Sequence, residues 1–171
     1  DPAPDLPWAD AQEWTRQLHD SSLVRAGALV LEHGLVYLQR YHHQEVQVVA
    51  DLLARAAQPA PALDAELLEA GLARVFPAGW EEQREAARVA TASWTSVLTG
   101  GPGTGKTSTV AGVLALLAEQ AAADQPLRVG LAAPTGKAAA RMQEAVADAL
   151  HEILARTADP AARAAIEPLR E

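Results

Sequence analysis

The sequence contains no cysteine, so it can form neither a disulfide framework nor a thiolate metal site. It also lacks an opening signal peptide and any apolar run near the roughly 20 residues that a membrane-spanning helix needs. Basic residues are in deficit, and the formal net charge of -8 argues against a simple basic clamp for nucleic acid. From these absences we expect a soluble, cytoplasmic protein.

The acidity is confined to one half of the chain. Residues 1–85 hold 14 acidic and 6 basic side chains, which accounts for the whole net charge. Residues 95–145 hold four basic and three acidic side chains and are slightly positive. An anionic ligand in this second region is therefore compatible with the composition.

The first 76 residues predict a small α+β domain. A helix is expected over 8–19, and two apolar runs flank Glu32-His33-Gly34, which indicates a hairpin. From Gln44 the apolar spacing becomes helical, "QPAPA" at 58–62 predicts a linker, and a further helix is expected over 63–75. The run Val36-Tyr37-Leu38 lacks alternation, so it is either buried on both faces or meets a partner protein.

Residues 77–171 predict an α/β domain. The order is a helix over 81–93, a strand over 95–99, a glycine-rich loop, a helix, a second strand over 127–133 and a final long helix. Strand–helix–strand–helix order implies a parallel sheet with helical crossovers. Spacing places one apolar face on the helix after the loop (Val110, Val113, Leu114 and Leu117) and one on the final helix (Met142, Val146, Leu150 and Ile153).

The loop "GGPGTGKT" at 100–107 matches the pattern GxxxxGK[ST] in full. Glycines allow left-handed backbone and close approach to a ligand, and the helix that follows adds its positive dipole end. We expect Lys106 to reach the β- and γ-phosphates of ATP and the Thr107 hydroxyl to ligate Mg²⁺. A chance glycine-rich turn is the alternative, and the flanking strand and helix patterns disfavour it. The candidate nucleotide contacts are Gly100, Gly101, Pro102, Gly103, Thr104, Gly105, Lys106, Thr107 and Ser108.

Two further features accompany the loop. Gln83 lies 17 positions before Gly100, and its amide could pair with the adenine edge, although a solvated surface glutamine has the same spacing. The stretch "APTGKAAARM" follows the second predicted strand, where ligands lie in parallel sheets. Its hydroxyl, exposed backbone and charges suit a phosphate backbone, and an ordinary loop is the alternative. The candidate nucleic-acid contacts are Pro134, Thr135, Lys137 and Arg141.

Together, "VLTGGPGTGKTSTV", "LAAPTGKAAARM" and the upstream glutamine resemble the RecD family, the α chains of RecBCD-type exonuclease V. The N-terminal "LVYLQRYHHQEVQVVADLL" is similar to that family's N-terminal domain. The resemblance implies a RecA-like motor domain that uses ATP and Mg²⁺ to move 5′ to 3′ on single-stranded DNA in repair and recombination. It implies that Gln83 reads adenine, that Thr135 and Lys137 lie on the DNA path, and that residues 1–76 dock onto the γ chain. Nuclease activity would belong to the β chain.

The sequence departs from the family in lacking an apolar strand that ends in Asp-Glu after the loop. The stretch most similar to such a strand is Val48-Val49-Ala50-Asp51. It lies before the glycine-rich loop, and its apolar residues have helical spacing. We therefore expect a fragment that ends within the first motor domain and is inactive as a helicase alone. The alternatives are a stand-alone RecD-like helicase, a nucleotide-binding interaction module without turnover, and a kinase or AAA-type ATPase, against which "APTGKAAARM" argues. His42, His43 and Glu45 are not expected to bind metal, since no third histidine lies at ligand spacing.

Overall fold

The computed structural model describes residues 10–121 and 125–170 and divides the chain into two compact units between Arg55 and Ala56. Trp8, at the start of the first predicted helix, lies outside the described residues. Within the described ranges, no helix is both long enough and apolar enough to cross a membrane.

The first unit contains helices α1 (Ala11–His19) and α2 (Ser22–Arg25), strands β1 (Leu29–Glu32) and β2 (Leu35–Leu38), and helix α3 (Gln39–Ala56). The predicted hairpin is confirmed, with antiparallel register from Leu29 opposite Leu38 to Glu32 opposite Leu35. His33 and Gly34 form its two-residue turn with φ of 52° and 75°. Left-handed backbone at both positions matches the right-handed twist of the strands, and the glycine adopts it at little cost.

A histidine–carboxylate pair connects the hairpin to α3. His42 donates from Nε2 to Oε2 of Glu32 at 2.5 Å, and this hydrogen bond lowers the pKa of Glu32. The imidazole also meets the ring of Tyr37 edge-on, with 5.3 Å between ring centroids. The segment 36–38 thus gains one packing contact, while the side chains of Val36 and Leu38 remain exposed.

Helix α3 begins at Gln39, five residues before the predicted start, and buries none of its side chains. Its predicted apolar face is present but faces outward, since Val49 and Leu53 are 55% and 65% exposed. A helix with this pattern ordinarily gains stability by covering its apolar face. The exposed face of α3 is therefore an apolar surface of the first unit that no other described residue covers.

The second unit is a helical assembly centred on α6. It contains α4 (Ala65–Val75), α5 (Glu81–Thr91), α6 (Lys106–Gln120), α7 (Gly136–Arg156), α8 (Pro160–Ile166) and a final 3₁₀ turn (Glu167–Arg170). Helices α4, α5, α7 and α8 all contact α6. The residues buried deepest in this core are Leu72, Phe76, Ala87, Ala111, Ala115, Leu116, Leu150 and Ile166.

Two glycines set the close approach of α4 to α6. A Cβ at Gly112 would overlap the ring of Phe76, and a Cβ at Gly71 would lie 2.6 Å from a methyl carbon of Leu116. The half-buried Arg74 donates to Glu119 across the same interface. Since α4 packs in this core, it belongs to the second unit, whereas the predicted domain boundary lay after it at residue 76.

The described residues do not show the predicted parallel sheet. Across the described ranges the only sheet is the antiparallel pair of β1 and β2, and residues 95–99 and 127–133 form no strand. A strand exists only through pairing, and no backbone hydrogen bond joins these two segments to each other. Val97, at the centre of the first segment, is 84% exposed. The chain mixes helix and strand as predicted, and among the described residues the strands are those of the predicted hairpin.

The apolar face predicted for α6 is also corrected. Val110, Val113, Leu114 and Leu117 are half-buried, and the buried positions are instead Thr109, Ala111, Gly112, Ala115, Leu116 and Ala118. The helix is apolar on most sides, so spacing alone does not identify which stripe faces the core. The prediction for α7 is confirmed at Val146, Leu150 and Ile153, which are buried, and at Met142, which packs at the edge of the core.

Candidate nucleotide-binding site

The glycine-rich segment folds as a closed loop directly before α6. Gly103 and Gly105 both have φ of 77°, a left-handed conformation that strains any other residue. The Lys106 ammonium donates to the carbonyls of Gly100 at 2.8 Å and Gly101 at 2.6 Å, and the Thr104 hydroxyl donates to Gly101 at 3.0 Å. These hydrogen bonds hold Gly100 and Gly101, at the start of the loop, next to Thr104 and Lys106 at its end.

Helix α6 starts at Lys106 without a side-chain cap. Its N-cap residue is Gly105, whereas Asp10, Ser21, Asp64, Thr135 and Asp159 cap other helices through their side chains. The amides of an uncapped first turn are left to water or to an anion. This uncapped turn, the loop amides and the Lys106 charge together fit a polyphosphate. Thr107, in the same turn and exposed, could supply a hydroxyl to Mg²⁺.

Helix α5 covers one side of the loop. Gln83 donates from Nε2 to the carbonyl oxygen of Thr104 at 3.2 Å. A cavity of about 170 Å³ lies between α5 and the loop, and it is lined in part by Gln83, Gly100, Thr104 and Lys106. The structure therefore brings the glutamine and the loop together.

Trp80 also lies against the loop, and the sequence analysis did not assign it to the site. Its Cζ3 atom is 3.5 Å from the position that a Cβ would occupy at Gly105. The available signal was its spacing, since Trp80 precedes Gln83 by three residues and shares one face of the first helical turn. The turn that presents Trp80 is held by Glu81, whose carboxylate accepts from the Gly79 amide at 2.9 Å, and this bond lowers the pKa of Glu81.

The second candidate group lies at the start of α7. Thr135 is the N-cap of that helix, and its hydroxyl accepts from the Ala138 amide at 3.2 Å. Pro134, Lys137 and Arg141 are exposed, and the two cations are four residues apart on one helical face. Among the hydrogen bonds of the described residues, none joins this group to the glycine-rich loop.

The chain matches a protein-family model over half of its length. A family model described as "AAA domain" matches residues 83–168. This range begins at Gln83 and includes both the glycine-rich loop and the start of α7.

The chain is also similar to curated proteins named "RecBCD enzyme subunit RecD". It is 54% identical over 147 residues to the protein from Mycolicibacterium smegmatis, covering 84% of this chain and 26% of that relative. It is 49% identical over 146 residues to the one from Mycobacterium tuberculosis, covering 83% and 24% respectively. The protein from Haemophilus influenzae is 36% identical over 128 residues, covering 71% of this chain and 19% of the relative. The resemblance found from the motifs is thereby confirmed, and the chain spans about a quarter of the length of the relatives it matches.

The role of Thr135 as the N-cap of α7 leads to a prediction about stability. Thr135→Ala removes the acceptor for the Ala138 amide, so the free energy of unfolding should fall by about 1 kcal/mol. Thr135→Ser keeps the acceptor and should stay within a few tenths of a kcal/mol of the wild type. Urea unfolding followed by circular dichroism measures both values, and equal stability of the Ala and Ser variants would contradict the assignment of the cap.

Proposed function

The chain belongs to the AAA domain family, and from this premise we propose that it is the ATP-binding portion of a RecD-type helicase subunit. The observation that carries the proposal is the Lys106 ammonium, bonded to two loop carbonyls beside the uncapped start of α6. In this proposal the amides from Gly100 to Ser108 hold the phosphates, Lys106 neutralises the β- and γ-phosphates and Thr107 ligates Mg²⁺.

Gln83 is proposed to read the base. Adenine presents an amino donor and a ring-nitrogen acceptor on one edge, and a glutamine amide matches both. Since Nε2 of Gln83 donates to the Thr104 carbonyl, its Oε1 is the atom left to accept from the adenine amino group. A 6-oxo purine presents an acceptor at that position and would be rejected.

The activity of the longer protein is part of the same proposal. Bound ATP would supply the hydrolysis energy for 5′ to 3′ movement along single-stranded DNA. The subunit would work with the β and γ chains of a RecBCD-type exonuclease V in double-strand break repair and recombination. Nucleotide binding without turnover, in an interaction module, is the alternative for this portion of the chain, and a hydrolysis assay beside the binding assay separates the two.

Single-stranded DNA is proposed to contact the start of α7. Lys137 and Arg141 present two cations beside the exposed backbone at Pro134 and Thr135, at the positive end of a 21-residue helix. Phosphate oxygens accept from side chains and amides of this kind, and such contacts position DNA without reading its sequence.

Residues 1–76 are proposed to dock onto the γ chain. Within them, α3 exposes Val46, Val49 and Leu53 at helical spacing, and the segment 36–38 exposes Val36 and Leu38. Apolar side chains of this number on one small unit are characteristic of surfaces that meet a partner protein.

Lys106→Ala should weaken the binding of a fluorescent ATP analogue with Mg²⁺ by at least about tenfold, because a charge-assisted hydrogen bond to phosphate is lost. Lys137→Ala is the matched control, since it removes an exposed lysine outside the loop and should bind the analogue as the wild type does. Fluorescence titration gives both dissociation constants. Equal affinity of the wild type and Lys106→Ala for the analogue would contradict the assignment of this loop as the phosphate-binding site.

In DNA binding, the same two variants should show the opposite pattern. Lys137→Ala should weaken binding of an oligothymidylate and lower the salt dependence by about 0.7 in the slope of log K against log salt, because one phosphate contact is lost. Lys106→Ala should leave this binding unchanged, as should Arg156→Ala at the opposite end of α7. Fluorescence anisotropy over a salt series measures the slopes, and an unchanged slope in Lys137→Ala would count against the DNA path.

Docking through α3 predicts that the double substitution Val49→Glu and Leu53→Glu weakens capture by the γ chain by at least about tenfold, since two carboxylates would be buried in an apolar contact. Val97→Glu is the control, because Val97 is an exposed valine of the other unit. Surface-bound γ chain and a titration of each variant supply the affinities. Undiminished binding of the double variant would refute docking through this face.

A further inference from the structure

Two side chains from the first turn of α5 cover the last residues of the glycine-rich loop. A Cβ at Gly105 would lie 3.5 Å from Cζ3 of Trp80 and 3.8 Å from Nε2 of Gln83. Trp80 and Gln83 therefore border the space that a Cβ would occupy beside Gly105. The same Gln83 nitrogen donates to the Thr104 carbonyl, one residue earlier.

Gln83 and Trp80 both lie beside the Thr104–Gly105 peptide, whose orientation determines where the Gly105 amide points. Gly105 is left-handed, with φ of 77°, and the next residue is Lys106. If the Thr104–Gly105 peptide rotated, the Gly105 amide would change direction and would no longer point where the proposed site places a phosphate. The hydrogen bond on the Thr104 carbonyl and the Trp80 ring beside Gly105 both lie on one side of this peptide and would oppose its rotation.

Trp80 is itself held in place. Its amide donates to the Pro77 carbonyl at 3.2 Å, and its carbonyl accepts from the Arg84 amide at 2.9 Å. The Arg84 side chain donates to the Phe76 carbonyl, and the indole packs against the edge of the hydrophobic core. The ring therefore connects the loop to the core of the second unit.

We propose that Trp80 and Gln83 brace the phosphate loop at Thr104–Gly105, with Trp80 as a positioning residue that acts through Gly105. This inference rests on the proposed function and adds to it a role for Gln83 that is independent of the base. A base-free polyphosphate therefore separates the two roles. If Gln83 only reads adenine, its loss leaves polyphosphate binding unchanged; if it braces the loop, its loss weakens that binding too.

Calorimetric titration with inorganic tripolyphosphate and with ATP, both with Mg²⁺, tests the brace. Trp80→Ala should weaken binding of both ligands by a similar factor, about fivefold, because the packing of one aromatic ring on the loop is lost. Trp80→Phe keeps a ring on Gly105 and should recover most of the affinity. Gln83→Ala should weaken tripolyphosphate binding and weaken ATP binding further. Trp94→Ala is the control, since Trp94 donates to the Pro59 carbonyl away from the loop and should bind as the wild type does.

Trp80 emission supplies a readout that does not depend on a destabilising variant. In a chain with Trp8, Trp14 and Trp94 changed to Phe, tripolyphosphate should shift the emission of Trp80. A chain that retains Trp94 alone should show no shift.

The failures of the two proposals are distinguishable. If the wild type binds both ligands, and Trp80→Ala and Gln83→Ala bind tripolyphosphate as tightly as the wild type, the bracing role is refuted and the proposed function stands. If wild type binds neither ligand, both fall. If Trp80→Ala does not fold, an unchanged Trp80 emission on tripolyphosphate binding overturns the brace.

Discussion

The hydrogen bonds from the Lys106 ammonium to the carbonyls of Gly100 and Gly101 are the interaction on which the candidate site depends. They hold the beginning of the loop against the beginning of α6, so that loop amides, helix dipole and ammonium face one region. A lysine already bound to the loop loses little conformational entropy when a phosphate arrives. The left-handed Gly103 and Gly105 allow the loop to close in this way without steric strain.

The loop is joined to α6, which is packed against the surrounding helices. Gly112 and Gly71 allow α4 to approach α6 closely, and α5 packs against the same helix at the end where the loop joins it. The side chains of α5 therefore reach the loop from a packed helix and not from a mobile segment. A groove of about 750 Å³ remains between α5, α6 and the segment that holds Val97 and Leu98, lined mostly by apolar side chains.

The sequence predicted the features that depend on local chemistry. The hairpin turn at His33-Gly34, the glycine-rich loop and the helix after it followed from turn preferences, apolar spacing and a specific motif. The parallel sheet is not seen because strand pairing is not local: the residues around Val97 and Val129 have strand-like composition but are not paired with each other. Trp80 was missed because a lone tryptophan near a turn is usually a core residue, and only the structure shows that its ring lies beside Gly105.

The central claim is that the backbone amides of the loop and of the first turn of α6 bind phosphate. The most direct measurement is a ¹⁵N–¹H correlation spectrum of the chain recorded during a titration with ADP and Mg²⁺. The account predicts large shifts for the amides of Gly103, Gly105, Lys106 and Ser108, with the resonances of β1 and β2 unchanged. A titration that leaves the loop amides in place, or that shifts only residues of the first unit, would contradict it.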